Sequence, residues 1–236
     1  MSRVTTSTVL FTIALIVLPG IIFWGERAYD DVWKQPFLVT PAASNPPHDT
    51  LLEQTGTFIP GSITSSITYT SADSPLIITQ PTSIPAGVTV IIEPGVDIVV
   101  NEFASLNVFG TLLLRGTAAE QIQLRTNQAS PNQQTWAGIL SHPDSVVQID
   151  YATITNASPG ISCLKSSVAT IENVDISATL LGIYIESDNC RVTDSRIRAI
   201  EDGVVAVGIK PLITNTIISV GQEEVRLLPL TPPAGG

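Results

Sequence analysis

The chain has 236 residues, of which 44% are apolar but only 6% aromatic and 14% charged, enough material for one domain with a real core. A formal net charge of −10 leaves no basic stripe to displace counterions from phosphates, which argues against a nucleic-acid partner. Two histidines, His48 and His142, and two cysteines, Cys163 and Cys190, give no clustered ligands for zinc, so neither a metal nor a cofactor is expected.

From Val4 to Gly25 there is no charged residue, and VLFTIALIVLPGIIFW is almost wholly apolar. As a helix this stretch would span about 33 Å at about 1.5 Å per residue, enough for a bilayer core, with Trp24 at the interface. The rival reading is a cleaved signal peptide, but the run is long for one and no A-x-A site follows it. Arg3 on one side and Arg27 and Lys34 on the other leave the flanking charge nearly balanced, so charge does not orient the segment. Residues 26–60 carry Pro36, Pro41, Pro46, Pro47 and Pro60 among Ser, Thr and Asn and read as an extended linker. The expected organisation is a signal-anchor helix over 1–25, that linker, a β domain over 61–228 and a flexible tail over 229–236.

The β domain is read from an internal repeat. Ile149, Ile171, Val192 and Ile213 fall 22, 21 and 21 residues apart. Five residues after each comes Ile154, Ile176, Ile197 and Ile218, and twelve after each comes Ile161, Ile183, Val204 and Val225. Gly160, Gly182 and Gly203 precede three of the last set, and Gly138-Ile139 extends the register backwards. A period near 22 with alternating β-branched residues implies a parallel solenoid whose coils each supply about three short strands. Equivalent residues then stack about 4.8 Å apart, and each apolar column becomes a stripe inside the tube. Tyr151, Asn173, Asp194 and Asn215 follow the first column by two residues, so alternation places them on the same face at a turn edge. Asn173, Asp194 and Asn215 are read as a structural hydrogen-bonding ladder.

Residues 84–126 carry Pro85-Ala86-Gly87-Val88, Pro94-Gly95-Val96, Leu106-Asn107-Val108, Gly110-Thr111-Leu112, Gly116-Thr117 and Ile122-Gln123-Leu124, followed by Trp136-Ala137-Gly138-Ile139. This pattern resembles the opening coils of right-handed parallel β-helix proteins of the pectin-lyase-like kind. The resemblance covers about residues 80–226 and implies an all-β right-handed solenoid of about seven coils, preceded here by one transmembrane helix. It also implies an extracytoplasmic domain, periplasmic or extracellular. It does not imply a reaction, because lyases, hydrolases, adhesins and inert scaffolds share the architecture.

Candidate chemistry lies on the outer faces. Asp150 and Glu172 are outward on the first strand and stack one coil apart, about 5 Å, with Arg191 on the next coil. Two such carboxylates could divide acid and base duties if their environments differed. Asp175 and Arg196 share a column and read as a solvated ion pair. Leu164, Tyr184, Val205, Val207 and Leu228 would form an apolar strip outside the tube, either a partner surface or a face covered by the chain's own tail, LTPPAGG, or by the linker. The interruption NQASPNQQT between Thr126 and Trp136 would be a flank loop, with Trp136 either packed at a coil corner, the commoner place for it, or serving as a platform for a sugar. Cys163 and Cys190 fall at different phases of the coil and are expected as separate thiols. The leading expectation is a non-catalytic, anchored scaffold, adhesion or protein-interaction module. The alternatives are a carbohydrate-binding or polysaccharide-degrading β-helix and an accessory subunit of a larger membrane complex.

Overall fold

A computed structural model describes residues 55–126, 136–178 and 180–229. The expected anchor, most of the linker, the 127–135 segment and the tail after Pro229 lie outside those residues. No helix among the described residues is long and apolar enough to cross a membrane.

The strand order follows from the repeat. After β1 (Thr57–Phe58) come β2 (Ile67–Tyr69), β3 (Leu76–Ile78) and β4 (Thr82–Ile84), then β5 (Thr89–Ile92), β6 (Asp97–Val100) and β7 (Leu106–Val108). The third coil holds β8 (Thr111–Arg115), β9 (Ile122–Thr126) and β10 (Ile139–Ser141), and the fourth β11 (Val146–Asp150), β12 (Ala152–Thr155) and β13 (Ile161–Cys163). The last three hold β14 (Val168–Glu172), β15 (Asp175–Ser177) and β16 (Leu181–Ile185); β17 (Cys190–Thr193), β18 (Arg196–Ala199) and β19 (Asp202–Val207); and β20 (Leu212–Thr214), β21 (Ile217–Val220) and β22 (Val225–Leu228).

From β2 onward every third strand joins the same sheet, and β1 adds to the start of sheet 2. Sheet 1 runs β2-β5-β8-β11-β14-β17-β20, sheet 2 runs β1-β3-β6-β9-β12-β15-β18-β21, and sheet 3 runs β4-β7-β10-β13-β16-β19-β22. The result is an all-β parallel solenoid of seven coils. The ladder begins at β1, where Thr57 pairs with Leu76, four residues before the boundary expected from composition.

All three apolar columns stack as the period requires. Ile149 pairs with Ile171, Val192 and Ile213 in succession, and the column runs back through Leu114 and Ile92 to Tyr69. Ile154, Ile176, Ile197 and Ile218 form the second column, and Ile139, Ile161, Ile183, Val204 and Val225 the third. The step from Leu114 to Ile149 is 35 residues rather than about 22, because the segment containing 127–135 is inserted between β9 and β10. Branched side chains stacked at strand spacing interdigitate with little lost rotamer freedom, and most of the core is built of them.

The glycine column has a steric cause. A Cβ on Gly182 would lie 2.4 Å from the Gly203 carbonyl oxygen of the next coil, and one on Gly160 would lie 2.9 Å from that of Gly182. The chain therefore enters sheet 3 with its backbone closer to the neighbouring coil than any side chain permits. Gly182→Ala should destabilise the domain by about 1–3 kcal/mol, the usual cost of overpacking, read as a lowered denaturant midpoint with an unchanged slope.

Candidate functional site

The turn from sheet 1 to sheet 2 is made by one residue per coil in the left-handed region. Tyr151, Asn173, Asp194 and Asn215 all have φ between 47° and 54°. Asn and Asp tolerate this conformation because a short polar side chain can bond locally, so the residue type follows from the bend. The N–H groups of the first three still reach the next coil: Tyr151 N donates to Glu172 O at 3.2 Å, Asn173 N to Thr193 O at 3.3 Å, and Asp194 N to Thr214 O at 3.2 Å.

The bend also breaks the strict alternation. Tyr151 and Asn173 are half-buried and Asp194 and Asn215 exposed, whereas Val174, one residue further on, is buried. The four residues therefore face out of the tube, not inward with the apolar column as alternation alone implies. Asn215 Nδ2 donates to Asp194 Oδ1, so the outward row is linked by side chains over its last step. With Gln121, Asp175, Ser195, Arg196 and Ile217 it lines an open cleft of about 420 Å³. Gln121 and Arg196 could have been placed there from the repeat, had the outward turn been foreseen.

Asp150 and Glu172 stack in register on sheet 1, as their spacing requires. Their neighbours differ from an acid–base site. Arg115 pairs directly beneath Asp150, and Gln148 Nε2 donates to Asp150 Oδ2 at 2.8 Å. Arg191 stacks on Thr170, two residues along from Glu172, whose own neighbour is Thr193. Arg115 was legible in principle, since it follows Leu114 as Asp150 follows Ile149. The Arg115 guanidinium itself lies 4.0 Å from Glu93 Oε1, and charges spaced along an exposed sheet face in this way are an ordinary solvated arrangement; the cleft lined by Asn173 and Arg196 includes neither Asp150 nor Glu172.

Sheet 2 corrects one pairing. Asp175 and Arg196 share a column, but the Asp175 carboxylate is taken by Arg198, whose Nη2 lies 2.7 Å from Oδ1. Arg198 is diagonal to Asp175 and long enough to reach it, which leaves Arg196 at the cleft. Arg125 and Asp97 make a similar bidentate pair at 3.0 and 2.6 Å, so the outer face of sheet 2 is strongly charged.

Sheet 3 presents the opposite surface. Ser162, Tyr184, Val205 and Arg226 stack in one outer column, and Val207 and Leu228 in the next. Leu140 and Leu164 extend the strip towards Phe109, whose ring stacks on His142 with centroids 4.0 Å apart. Phe109 and His142 were not anticipated as part of it. Burial pushes the His142 imidazole below its usual range, and Nε2 lies 3.2 Å from Asn107 Oδ1. Tyr184 donates its phenol to Glu186 Oε1 at 2.5 Å. That bond, followed by burial and the Glu186 charge, pushes its pKa up to about 12. The hydroxyl is therefore committed to an intramolecular acceptor. Val205 is buried, and Tyr184 and Val207 are partly so.

Trp136 takes the corner role rather than the platform, and the two cysteines depart from expectation. Trp136 is buried, and its Nε1 donates to Thr155 O at 2.9 Å, so the indole closes a coil corner and offers no platform. Cys163 and Cys190 form a disulfide, with Cα atoms 6.2 Å apart. Cys163 ends β13, Cys190 opens β17, and Cys190 stacks on Ala169, six residues after Cys163. The difference in phase is the width of one corner, where inward side chains from two sheets converge.

Residues 137–224 match the family model described as right handed beta helix region. No curated protein and no solved structure matches the chain. Closing a 27-residue separation, the disulfide should contribute about 3.5 kcal/mol by the chain-entropy estimate. Alkylation of the unreduced, denatured protein should find no free thiol, and dithiothreitol should lower the denaturation midpoint.

Proposed function

We propose that this right-handed β-helix is a non-catalytic protein-interaction module, displayed outside the cytoplasm and held at a membrane by the apolar segment 4–25. The observation that carries the reading is the contrast between outer faces. Sheet 2 shows Asp97, Arg125, Asp175, Arg196 and Arg198, whereas the outer side of sheet 3 shows Phe109 and, partly exposed, Leu140, Leu164, Tyr184 and Val207 along five successive coils, around the buried Val205. Apolar side chains gathered on one face of a solenoid suit a protein surface more than a polar ligand. Export is supported by the buried disulfide, since such bonds form and persist in oxidising compartments. The anchor is supported by the length and composition of 4–25 alone.

A second reading, carbohydrate binding, is favoured by the cleft at the sheet 1 to sheet 2 corner. Its amides, carboxylates and Tyr151 are the groups that hold sugar hydroxyls. The carboxylate pair at Asp150 and Glu172 adds little to it, because Gln148 already engages Asp150 and the pair lies outside that cleft.

Under the interaction reading, the protein extracted from its native membrane in mild detergent migrates as a complex larger than its own assemblies. Leu164→Glu and Val207→Glu should dissociate that complex, while Asp150→Ala with Glu172→Ala should leave it intact. Glycan binding or turnover lost in the Asp150/Glu172 variant would instead favour the enzyme. Carbonate washing should leave the full chain in the membrane fraction, and its release would remove the anchor from the proposal.

A further inference from the structure

The two ends of the solenoid are unlike. At the N-terminal end, inward residues Ile59, Ile63 and Tyr69 are 6–7% exposed, with Ile67 more open at 39%. At the other end the inward stripes run out uncovered among the described residues. Val225 stacks on the fully buried Val204 yet is 39% exposed, and Leu227 stacks on the fully buried Ala206 yet is 60% exposed. Ile213 and Ile218, which close the other two columns, are only partly buried.

This end is also a triple strand edge. β20, β21 and β22 terminate their sheets, so each has one row of N–H and C=O groups without a ladder partner among the described residues. Exposed edges are usually blunted by charge, proline or a bulge. Here the three strands contain no proline, and their one charge, Arg226, is held inside its own chain, 3.0 Å from Asp202 and 3.4 Å from Glu223. Residues 230–236 include Pro232 and Pro233, which have no N–H to offer an edge.

The geometry points to a second copy of this chain as the occupant, docked end to end through its own last coil. A two-fold axis across the solenoid, through β22 and the opposite Asn215 corner, makes the contact self-complementary. It lays β22 antiparallel to its own copy and β20 antiparallel to β21 of the partner. The same rotation brings the corner holding Lys210 against the partner's corner holding Glu223 and Glu224. Lys210 and Glu224 make no ion pair among the described residues, so this one orientation matches opposite charges twice. Head-to-tail stacking lacks such a match, because residues 55–72 carry no charge, and it would propagate into a filament.

The test uses the full chain in mild detergent, with the protein mass taken from light scattering across a concentration series. The expected species is a dimer. Leu227→Lys and Lys210→Glu should each weaken it by roughly tenfold or more, and Lys210→Glu with Glu224→Lys should restore it. Circular dichroism separates a weakened dimer from an unfolded chain, and rescue by the charge swap does not depend on Leu227. Leu227→Cys should cross-link two chains through that position. A monomer at all concentrations, a ladder of higher oligomers, or a dimer formed only after removal of residues 230–236 would each overturn the proposal. Leu164→Glu, on the outer face of sheet 3, should leave the dimer unchanged, so this contact and the sheet 3 surface fail separately.

Discussion

Coil-to-coil backbone pairing is the constraint on which the rest of this molecule depends. In a parallel solenoid each strand meets its equivalent from the next turn, about 4.8 Å away, and every inward side chain lies on its counterpart. A coil that gains or loses a residue within a strand would turn its apolar stripe to solvent. The 21- and 22-residue steps between Ile149, Ile171, Val192 and Ile213 are thus a condition of closure. Length can vary only at corners, and that is where the segment containing 127–135 enters, between β9 and β10.

Corners carry the unusual chemistry for the same reason. A left-handed residue at 151, 173, 194 and 215 turns the chain within one position, and the first three keep their N–H in the ladder. Gly160, Gly182 and Gly203 let backbones approach where a Cβ would strike the neighbouring carbonyl. Trp136 and the Cys163–Cys190 bond fill and staple other corners. In each case a side chain that looks functional in one dimension is occupied by the geometry of turning.

Function has to be read from what the sheets show outward. The three faces are chemically distinct: mixed on sheet 1, charged on sheet 2 and apolar along sheet 3. A flat ladder can display charges without moulding a pocket around them, so Asp150 and Glu172 stand in the open beside Arg115. Concavity arises only where the chain bends, as in the cleft lined by Asn173, Asp194 and Arg196. The family-model match over residues 137–224 adds architecture to this reading and no substrate.

The sequence by itself determined the coil, its register and its inward columns, because periodic burial leaves a periodic trace in residue type. It also placed Asp150 over Glu172 and Tyr184 next to Val205, since register and alternation are one-dimensional rules. What only the tertiary structure decided lies at corners and in diagonals. Alternation fails where φ turns positive, so the Asn173–Asp194–Asn215 row points outward rather than in. Side-chain length lets Arg198 rather than Arg196 reach Asp175. Two cysteines 27 residues apart meet because the corner between them brings inward directions together, a convergence that spacing along the chain does not encode.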